Sequence, residues 1–534
     1  MISLYADDIL LYLADPQGSI PRVLEILTVF GEYSGLSINW DKSVAFPVTP
    51  WEPPAGWKIP LKWAVDGFRY LGIFVTLDPK RFMRENLERI LDNYKRDIVH
   101  WRALPLSLLG RAALYKMIYL PKFLYSLQNT MFEVPDSFFA AVDAATRNLL
   151  WDGGAPRIAL STLCRGQWDG GIALPDLKLY YWASQLQIIN DWAFSDQQDP
   201  AVKADRRAMA PVGYETCLYK AKEGRTVRPL TRRVIQLWQK ATKKIGWEGK
   251  LTLETPLWDT DLLPDTGSLG GKKKWDRIGI SKVGDIWDKG AIISFEMLQA
   301  QYQLTEGQRL YYMQLRHVLK KYEDILQNVE EESPLEYRLL GAPLRGHAIA
   351  QVYKTLSAHS RPDLVRLKER WEADLGRLEE GGWDEACRYP REAAIKAGFR
   401  LIQIKIFHRA YYTRTRMFAM GRTENDRCLR RCGHKGTLVH TLWECPKLRE
   451  YWRKVESTLS NITEVEIRLT SSILTLGIWG EQTLERHTLL FCNVALMVAK
   501  RDVIRRWGDP SIPDWDEWAR GLDWCMQAEK TIYK

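Results

Sequence analysis

At 534 residues the chain is too long for one hydrophobic core, and its 46% hydrophobic and 27% charged residues are ordinary for a globular protein. A net charge of +10 and a pI near 9.0 favour an anionic partner, nucleic acid first among them. Eight scattered cysteines argue against a secreted disulfide scaffold and for a reducing compartment, and the 23 Trp and 23 Tyr serve either core packing or stacking on bases.

Residues 1–13 read MISLYADDILLYL, with Asp7-Asp8 between two apolar runs. This predicts a hairpin with the acids at its tip, and two aspartates make the segment a poor signal peptide. Adjacent carboxylates repel each other, so either a divalent cation holds them or the pair is a solvated turn. A helix is predicted over about 20–33. It leads into Gly35-Leu36-Ser37-Ile38-Asn39-Trp40-Asp41-Lys42-Ser43, and later comes Phe68-Arg69-Tyr70-Leu71-Gly72-Ile73.

From 84 to 101, Leu87, Ile90, Leu91, Tyr94 and Ile98 recur at helical period with basic residues opposite, and Pro105 ends the run. A second helix is predicted over 107–119, carrying Gly110, Arg111 and Lys116, and a third over about 136–151. Trp168-Asp169-Gly170-Gly171-Ile172-Ala173-Leu174-Pro175-Asp176 reads as a glycine turn closed by proline. Helices with basic clusters fill 193–253. Residues 254–274 carry Pro256, Pro264, Gly267, Gly270, Gly271 and three lysines, and read as a linker. Residues 275–390 are mostly helical and show no catalytic constellation.

The charge is concentrated. Between 391 and 440 there are twelve basic side chains against three acidic ones. Residues 399–420 read as one helix in which Arg400, Lys405, Arg409, Arg414 and Arg416 stand beside Phe407, His408, Tyr411 and Tyr412. Such a helix either neutralises phosphates and stacks on bases or turns its aromatic face to a core. Next comes Cys428-x₃-Cys432-x₇-His440-x₄-Cys445, a donor set suited to tetrahedral Zn²⁺. The alternative is three ordinary buried thiols and a chance histidine. His434 lies two residues from Cys432, too near to share a shell without strain. Three thiolates and an imidazole leave no open position, which points to a structural ion. The last segment, 451–534, is predicted helical, and its apolar run over 488–499 is too short to span a bilayer.

Several of these motifs share one resemblance. Tyr5-Ala6-Asp7-Asp8 is similar to the palm motif of reverse transcriptases, and the Gly35–Ser43 stretch resembles the motif that follows it there. Phe68-Arg69-Tyr70-Leu71-Gly72-Ile73 resembles the primer-grip strand. The G-G-I-x-L-P-D stretch and the C-C-H-C spacing, with Trp443-Glu444-Cys445-Pro446, resemble features of LINE enzymes. The chain thus resembles the carboxy-terminal part of a LINE-type (non-LTR) retrotransposon reverse transcriptase, cut off upstream of Tyr5.

That resemblance implies a mainly α fold with a small α+β remnant of a palm at 1–80. A helical thumb and the segment behind it would occupy 81–192, a helical connection 193–253 and a linker 254–274. A helical carboxy-terminal region at 275–390, the basic helix and zinc knuckle at 391–450 and a helical tail would complete it. Asp7 and Asp8 would hold Mg²⁺ and Lys42 would stand near the incoming nucleotide. Tyr70 and Gly72 would meet the primer, and Arg111 and Lys116 would contact phosphates. Partners would be RNA, DNA and their hybrid, in cytoplasm and nucleus. The further palm aspartate, the fingers and an endonuclease domain would precede Met1, which matches a position inside a strand, so Mg²⁺ is expected only with that part supplied. The expected function is an RNA-directed DNA polymerase fragment, inactive alone. The alternatives are a non-catalytic RNA- and DNA-binding protein and a relic reading frame.

Overall fold

The computed structural model describes residues 2–51, 61–195, 199–210, 212–220, 228–288, 290–394 and 396–532, with side chains to 528. Met1, expected inside a strand, lies outside the described residues. Helix takes 59% and strand 6%, which makes the protein mainly α with small sheets. The chain divides into two compact units, residues 1–93 and 94–534.

In the first unit, Ile2–Tyr5 pairs antiparallel with Asp8–Leu11, placing Tyr5 opposite Asp8. Ala6, at φ 51°, and Asp7 make the turn. Ile2, Leu4 and Tyr5 are all exposed, so adjacent strand positions on both faces of this hairpin meet solvent. The helix Pro16–Ser34 is capped by the Asp15 side chain, which accepts from the Gly18 N–H at 3.1 Å, and ends at Gly35 with φ 72°. A second hairpin, Phe68–Tyr70 with Ile73–Val75, turns through Leu71 and Gly72, both at positive φ. Such primed turns match the right-handed twist of the strands, and Gly72 takes its conformation without strain. Val44–Ala45 runs parallel to Lys62–Trp63. These three strand pairs stay separate and form no common sheet among the described residues.

Arg89–Arg102 continues a π-turn at Arg84–Glu88, and the predicted apolar positions Leu87, Leu91, Tyr94 and Ile98 are buried. The second unit, which begins at Tyr94, is mainly helical. Leu108–Leu114, Tyr115–Tyr119 and Leu120–Gln128 follow one another directly, and Asp136–Leu150 comes next. Tyr94 anchors this layer: its ring centroid is 4.6 Å from that of Tyr119, and its hydroxyl lies 3.2 Å from Thr146 Oγ1. Leu177–Phe194 is buried on most of its surface and is the central helix, packed by Leu120–Gln128, Pro229–Lys244 and Ala348–Ser360.

Residues 254–274 are not a linker. Leu257, Trp258 and Leu263 are buried in a cluster with Trp275, Ile280 and Leu298. Trp258 Nε1 donates to the Ile280 carbonyl at 2.9 Å, Thr266 Oγ1 donates to that of Leu263 at 2.7 Å, and Lys272 pairs with Asp259. Proline and glycine mark turns whether or not the loop is ordered. Here the apolar side chains between them decide for order.

Residues 399–420 are two helices, Ala397–Phe407 and Arg414–Ala419. Between them Arg409 sits at φ 53°. The break is held by tertiary bonds: Trp371 Nε1 donates to the Phe407 carbonyl at 2.9 Å, and His408 Nε2 lies 2.6 Å from the Gly170 carbonyl. Thr413 caps the second helix. Below them lies the carboxy-terminal core, with Trp371, Phe407, Trp452, Leu496 and Trp518. The helix Arg486–Arg505 supplies its densest row, and even Lys500 is buried there, donating to Gln403 Oε1 at 2.7 Å. Among the described residues no helix is long and apolar enough to cross a membrane.

Candidate metal centre and basic surface

The segment 421–436 is short of apolar residues and has no long helix or strand, so its shape depends on local bonds, while Leu438, Val439 and Leu442 after it are buried in the carboxy-terminal core. Arg431 and Gly433 adopt positive φ, at 54° and 85°. These turns aim backbone N–H groups at sulfur: the Arg430 N–H reaches Cys428 and the His434 N–H reaches Cys432. The Cys428 N–H donates to the His434 carbonyl at 2.9 Å, and Arg427 bridges to Lys435. Thr437 Oγ1 accepts from the His440 N–H at 3.1 Å and so fixes the start of the π-turn His440–Glu444. Cys445 closes the loop.

The result is a closed set of donors. One ligand atom each from Cys428, Cys432, His440 and Cys445 lies within 4.8 Å of the others, and Cys428, His440 and Cys445 are buried. Cys428 Sγ and Cys445 Sγ are 3.9 Å apart, and Cys432 Sγ is 3.2 Å from His440 Nε2. Two thiolates sharing a tetrahedral ion at about 2.3 Å would stand roughly 3.8 Å apart, so the spacing fits. The cluster can hold a metal ion. His434 is not a member of the set: it is exposed, with Nδ1 3.0 Å from the Cys432 carbonyl.

Electrostatics prepare the donors unequally. Burial pushes the Cys428 thiol up to about 12. Burial also opposes the Cys432 thiolate, but the His434 N–H and imidazole outweigh it and hold that thiol down to about 7. Burial, with the charges of His434 and Arg430, lowers His440, which favours the neutral imidazole a metal needs.

The knuckle is tied to the basic segment. Gly436 allows a close approach, since a Cβ there would come within 2.8 Å of Arg414 Cβ. The Gly436 carbonyl accepts from the Thr415 N–H at 3.3 Å, and Arg430 Nη1 donates to the Thr441 carbonyl at 2.9 Å. Trp452 Nε1 donates to the Leu442 carbonyl at 2.9 Å, fastening the knuckle to the core.

The other sequence-predicted residues divide into used and free. Arg111 is buried and donates to the Leu149 carbonyl at 3.3 Å, with Asp152 at 3.4 Å. Lys116 Nζ donates to the Ile172 carbonyl at 3.3 Å. Both are spent inside the fold and are not presented to a phosphate. Arg400 donates to the Ala394 carbonyl at 2.7 Å, and Arg409 binds the Arg370 carbonyl and pairs with Asp374. Tyr411 is buried against Trp507, with ring centroids 5.0 Å apart, so it offers no face to a base. Lys405, Tyr412 and Arg414 are half-buried, and Arg416 is exposed.

Asp7, Asp8 and Lys42 are exposed in the first unit, while Tyr70 is half-buried and Gly72 sits in its hairpin turn. Among the described residues no third candidate ligand joins Asp7 and Asp8. Sequence reading missed Arg157, Thr437, Gly436 and Trp507. The roles of Arg157 and Trp507 arise from contacts across the fold and leave no local pattern, whereas Gly436 and Thr437 stand within the knuckle itself. A comparison with models of known protein families finds no match for the chain.

Proposed function

We propose that this protein binds nucleic acid through the basic surface that the Cys428, Cys432, His440 and Cys445 cluster holds in shape, with Zn²⁺ as the structural ion. The observation that carries the reading is a closed four-donor cluster inside a segment with twelve basic and three acidic side chains. Thiolate and imidazole donors select zinc over magnesium or calcium, and four protein ligands leave no site for catalysis at the metal. Phosphate neutralisation releases counterions, so affinity must fall as salt rises.

Fluorescence anisotropy of labelled RNA, DNA and hybrid duplex against the zinc-loaded chain tests this. Binding of roughly micromolar strength or better is expected at low salt, with log K falling linearly with log salt. The pair Cys428→Ser and Cys432→Ser should weaken it about ten-fold or more, since loss of shape separates the charges. Unchanged salt-dependent binding by that variant would remove the metal from the reading, and no binding at low salt by the wild type would end it.

A second reading rests on the order of the amino-terminal motifs and on the hairpin, which sets Asp7 in its turn and Asp8 opposite Tyr5. In this reading the chain derives from an RNA-directed DNA polymerase of the LINE (non-LTR) class. Two carboxylates do not complete an octahedral Mg²⁺ shell, so the chain alone is expected to be inactive. Primer extension on poly(rA)/oligo(dT) should show no incorporation above that of the Asp7→Asn, Asp8→Asn variant. Clear Mg²⁺-dependent extension lost in that variant would show that these residues suffice.

A further inference from the structure

We infer that Arg157 and Arg416, gathered on Tyr412, together with Lys405 near Arg157 form a seat for the phosphodiester backbone, so that this surface reads charge and not bases. The inference rests on the nucleic-acid reading above and assigns it a site and a mode.

The geometry comes first. The guanidinium carbons of Arg157 and Arg416 lie 4.7 and 5.3 Å from the centroid of the same Tyr412 ring. A cation over an aromatic face is attracted by the ring quadrupole, so the ring acts as a platform that fixes both forks. Tyr412 is itself held: its carbonyl accepts from Trp507 Nε1 at 2.6 Å. Arg157 comes from the loop before Leu160–Leu163, and Tyr412 and Arg416 from the segment leading into the knuckle. The seat thus joins two parts of the chain that sequence alone does not connect.

Charge balance comes second. Among the described residues Arg157, Lys405 and Arg416 make no ion pair, though Arg416 Nη1 donates to the Arg409 carbonyl at 3.3 Å from an exposed position, whereas Arg409 pairs with Asp374 and Arg361 with Asp169. Burial and the charge of Arg157 both depress Lys405, which marks crowded like charges. An arrangement of unpaired cations is unfavourable until an anion arrives. A phosphate oxygen pair matches the guanidinium fork and relieves the repulsion.

The third observation concerns the rings. Arg391 lies 5.7 Å from the ring centroid of exposed Trp168, and Lys396 lies 4.0 Å from that of exposed Trp524. Phe418 is the exposed ring beside Arg416, whereas Tyr411 is buried, Tyr412 lies under two guanidiniums, and Trp168 and Trp524 each carry a cation. Base stacking would need those faces free. The surface therefore suits the repeating phosphate of any sequence.

The test is a salt titration of the full zinc-loaded chain by anisotropy, on homopolymer and mixed-sequence RNA and on duplex DNA. Each lost phosphate contact should lower the slope of log K against log salt by about 0.7 on single strands and about 0.9 on duplex. The Arg157→Gln, Lys405→Gln, Arg416→Gln variant should lose roughly 2 to 3 in slope and ten-fold or more in affinity, equally for every sequence. Arg157→Lys with Arg416→Lys should keep most of the slope, because the charge remains. Arg416 is exposed, so Arg416→Gln alone keeps the test available if the triple variant misfolds, with a slope loss of about one. Wild-type slope and affinity in the glutamine variants would overturn the seat while leaving nucleic-acid binding in place, as would a loss confined to one base composition. Tighter binding to phosphatidylserine vesicles than to oligonucleotides at equal salt would also overturn it. No binding by the wild type would fail the underlying reading as well.

Discussion

Stripping the metal is expected to loosen residues 421–436 while leaving the core beneath them intact. Apart from the metal, residues 421–436 are held mainly by a few backbone bonds such as Gly436 N–H to the Asp426 carbonyl at 2.8 Å and one bridge between Arg427 and Lys435, whereas Leu438, Val439 and Leu442 after them are buried in the core. Each such bond contributes about 1 kcal/mol net. Structural zinc in comparable sites supplies on the order of 10 kcal/mol near neutral pH, so the metal term dominates. The wild type should hold one zinc per chain by elemental analysis and resist trypsin at Arg422, Arg427, Arg431 and Lys435. Chelation, or Cys445→Ser, should open those sites to cleavage. Far-UV circular dichroism should change little, because the long helices Arg449–Thr463 and Arg486–Arg505 lie outside the knuckle, whose own helix is the single π-turn His440–Glu444. The Cys428 thiol, pushed up to about 12 by burial, must lose its proton to bind, so zinc affinity should climb with pH. A Cys445→Ser protein that kept its zinc and its protease resistance would refute the assignment.

Acid should weaken the junction between the Gly170 loop and the Ala397–Phe407 helix. His408 Nε2 lies 2.6 Å from the Gly170 carbonyl, and a Cβ at Gly170 would come within 2.8 Å of the Phe407 ring, so the two segments are closely fitted. Burial, reinforced by the charge of Arg165, lowers His408 to about 4 despite the Gly170 carbonyl. Its folded value therefore lies below its unfolded value near 6.5, and the neutral form is the one the fold accepts. The resulting stability is complete above about pH 6.5 and is lost as pH falls from there towards 4. The loss amounts to roughly 2–3 kcal/mol by pH 4. Asp143, pushed up to about 6 by burial, acts in the opposite sense over much of the same range, so the comparison with His408→Gln isolates the histidine. Urea unfolding followed by tryptophan fluorescence should show the difference between the two proteins shrink by that amount between pH 7 and pH 4. A constant difference across the window would exclude His408 as the source. Lys500, lowered to about 7 by burial, acts above this window.

What could be read in advance follows from locality. The helix over 84–101 was legible because Leu87, Leu91, Tyr94 and Ile98 repeat at helical period and each needs burial. The hairpin at Asp7-Asp8 was legible because two short apolar runs flank a polar pair. The metal cluster was legible because its ligands sit within eighteen positions, where short turns suffice to bring them together. The reading of 254–274 as a linker failed because proline and glycine report where the chain turns and say nothing of Leu257, Trp258 and Leu263 finding a core. The single helix over 399–420 failed because its interruption is set by Trp371 and by Gly170, both distant in sequence.

The same division runs through the functional surface. Sequence alone determined the donor set, the concentration of cations between 391 and 440 and the mainly helical class, since composition, spacing and period are local properties. Tertiary structure alone decided which cations are available. Arg111, Lys116, Arg400 and Arg409 are consumed by carbonyls and acids inside the fold, whereas Arg157 is brought in to share Tyr412 with Arg416. The physical reason is that a cation's role depends on what faces it, and every partner in that list except the Ala394 and Arg416 groups lies more than a few helical turns away along the chain.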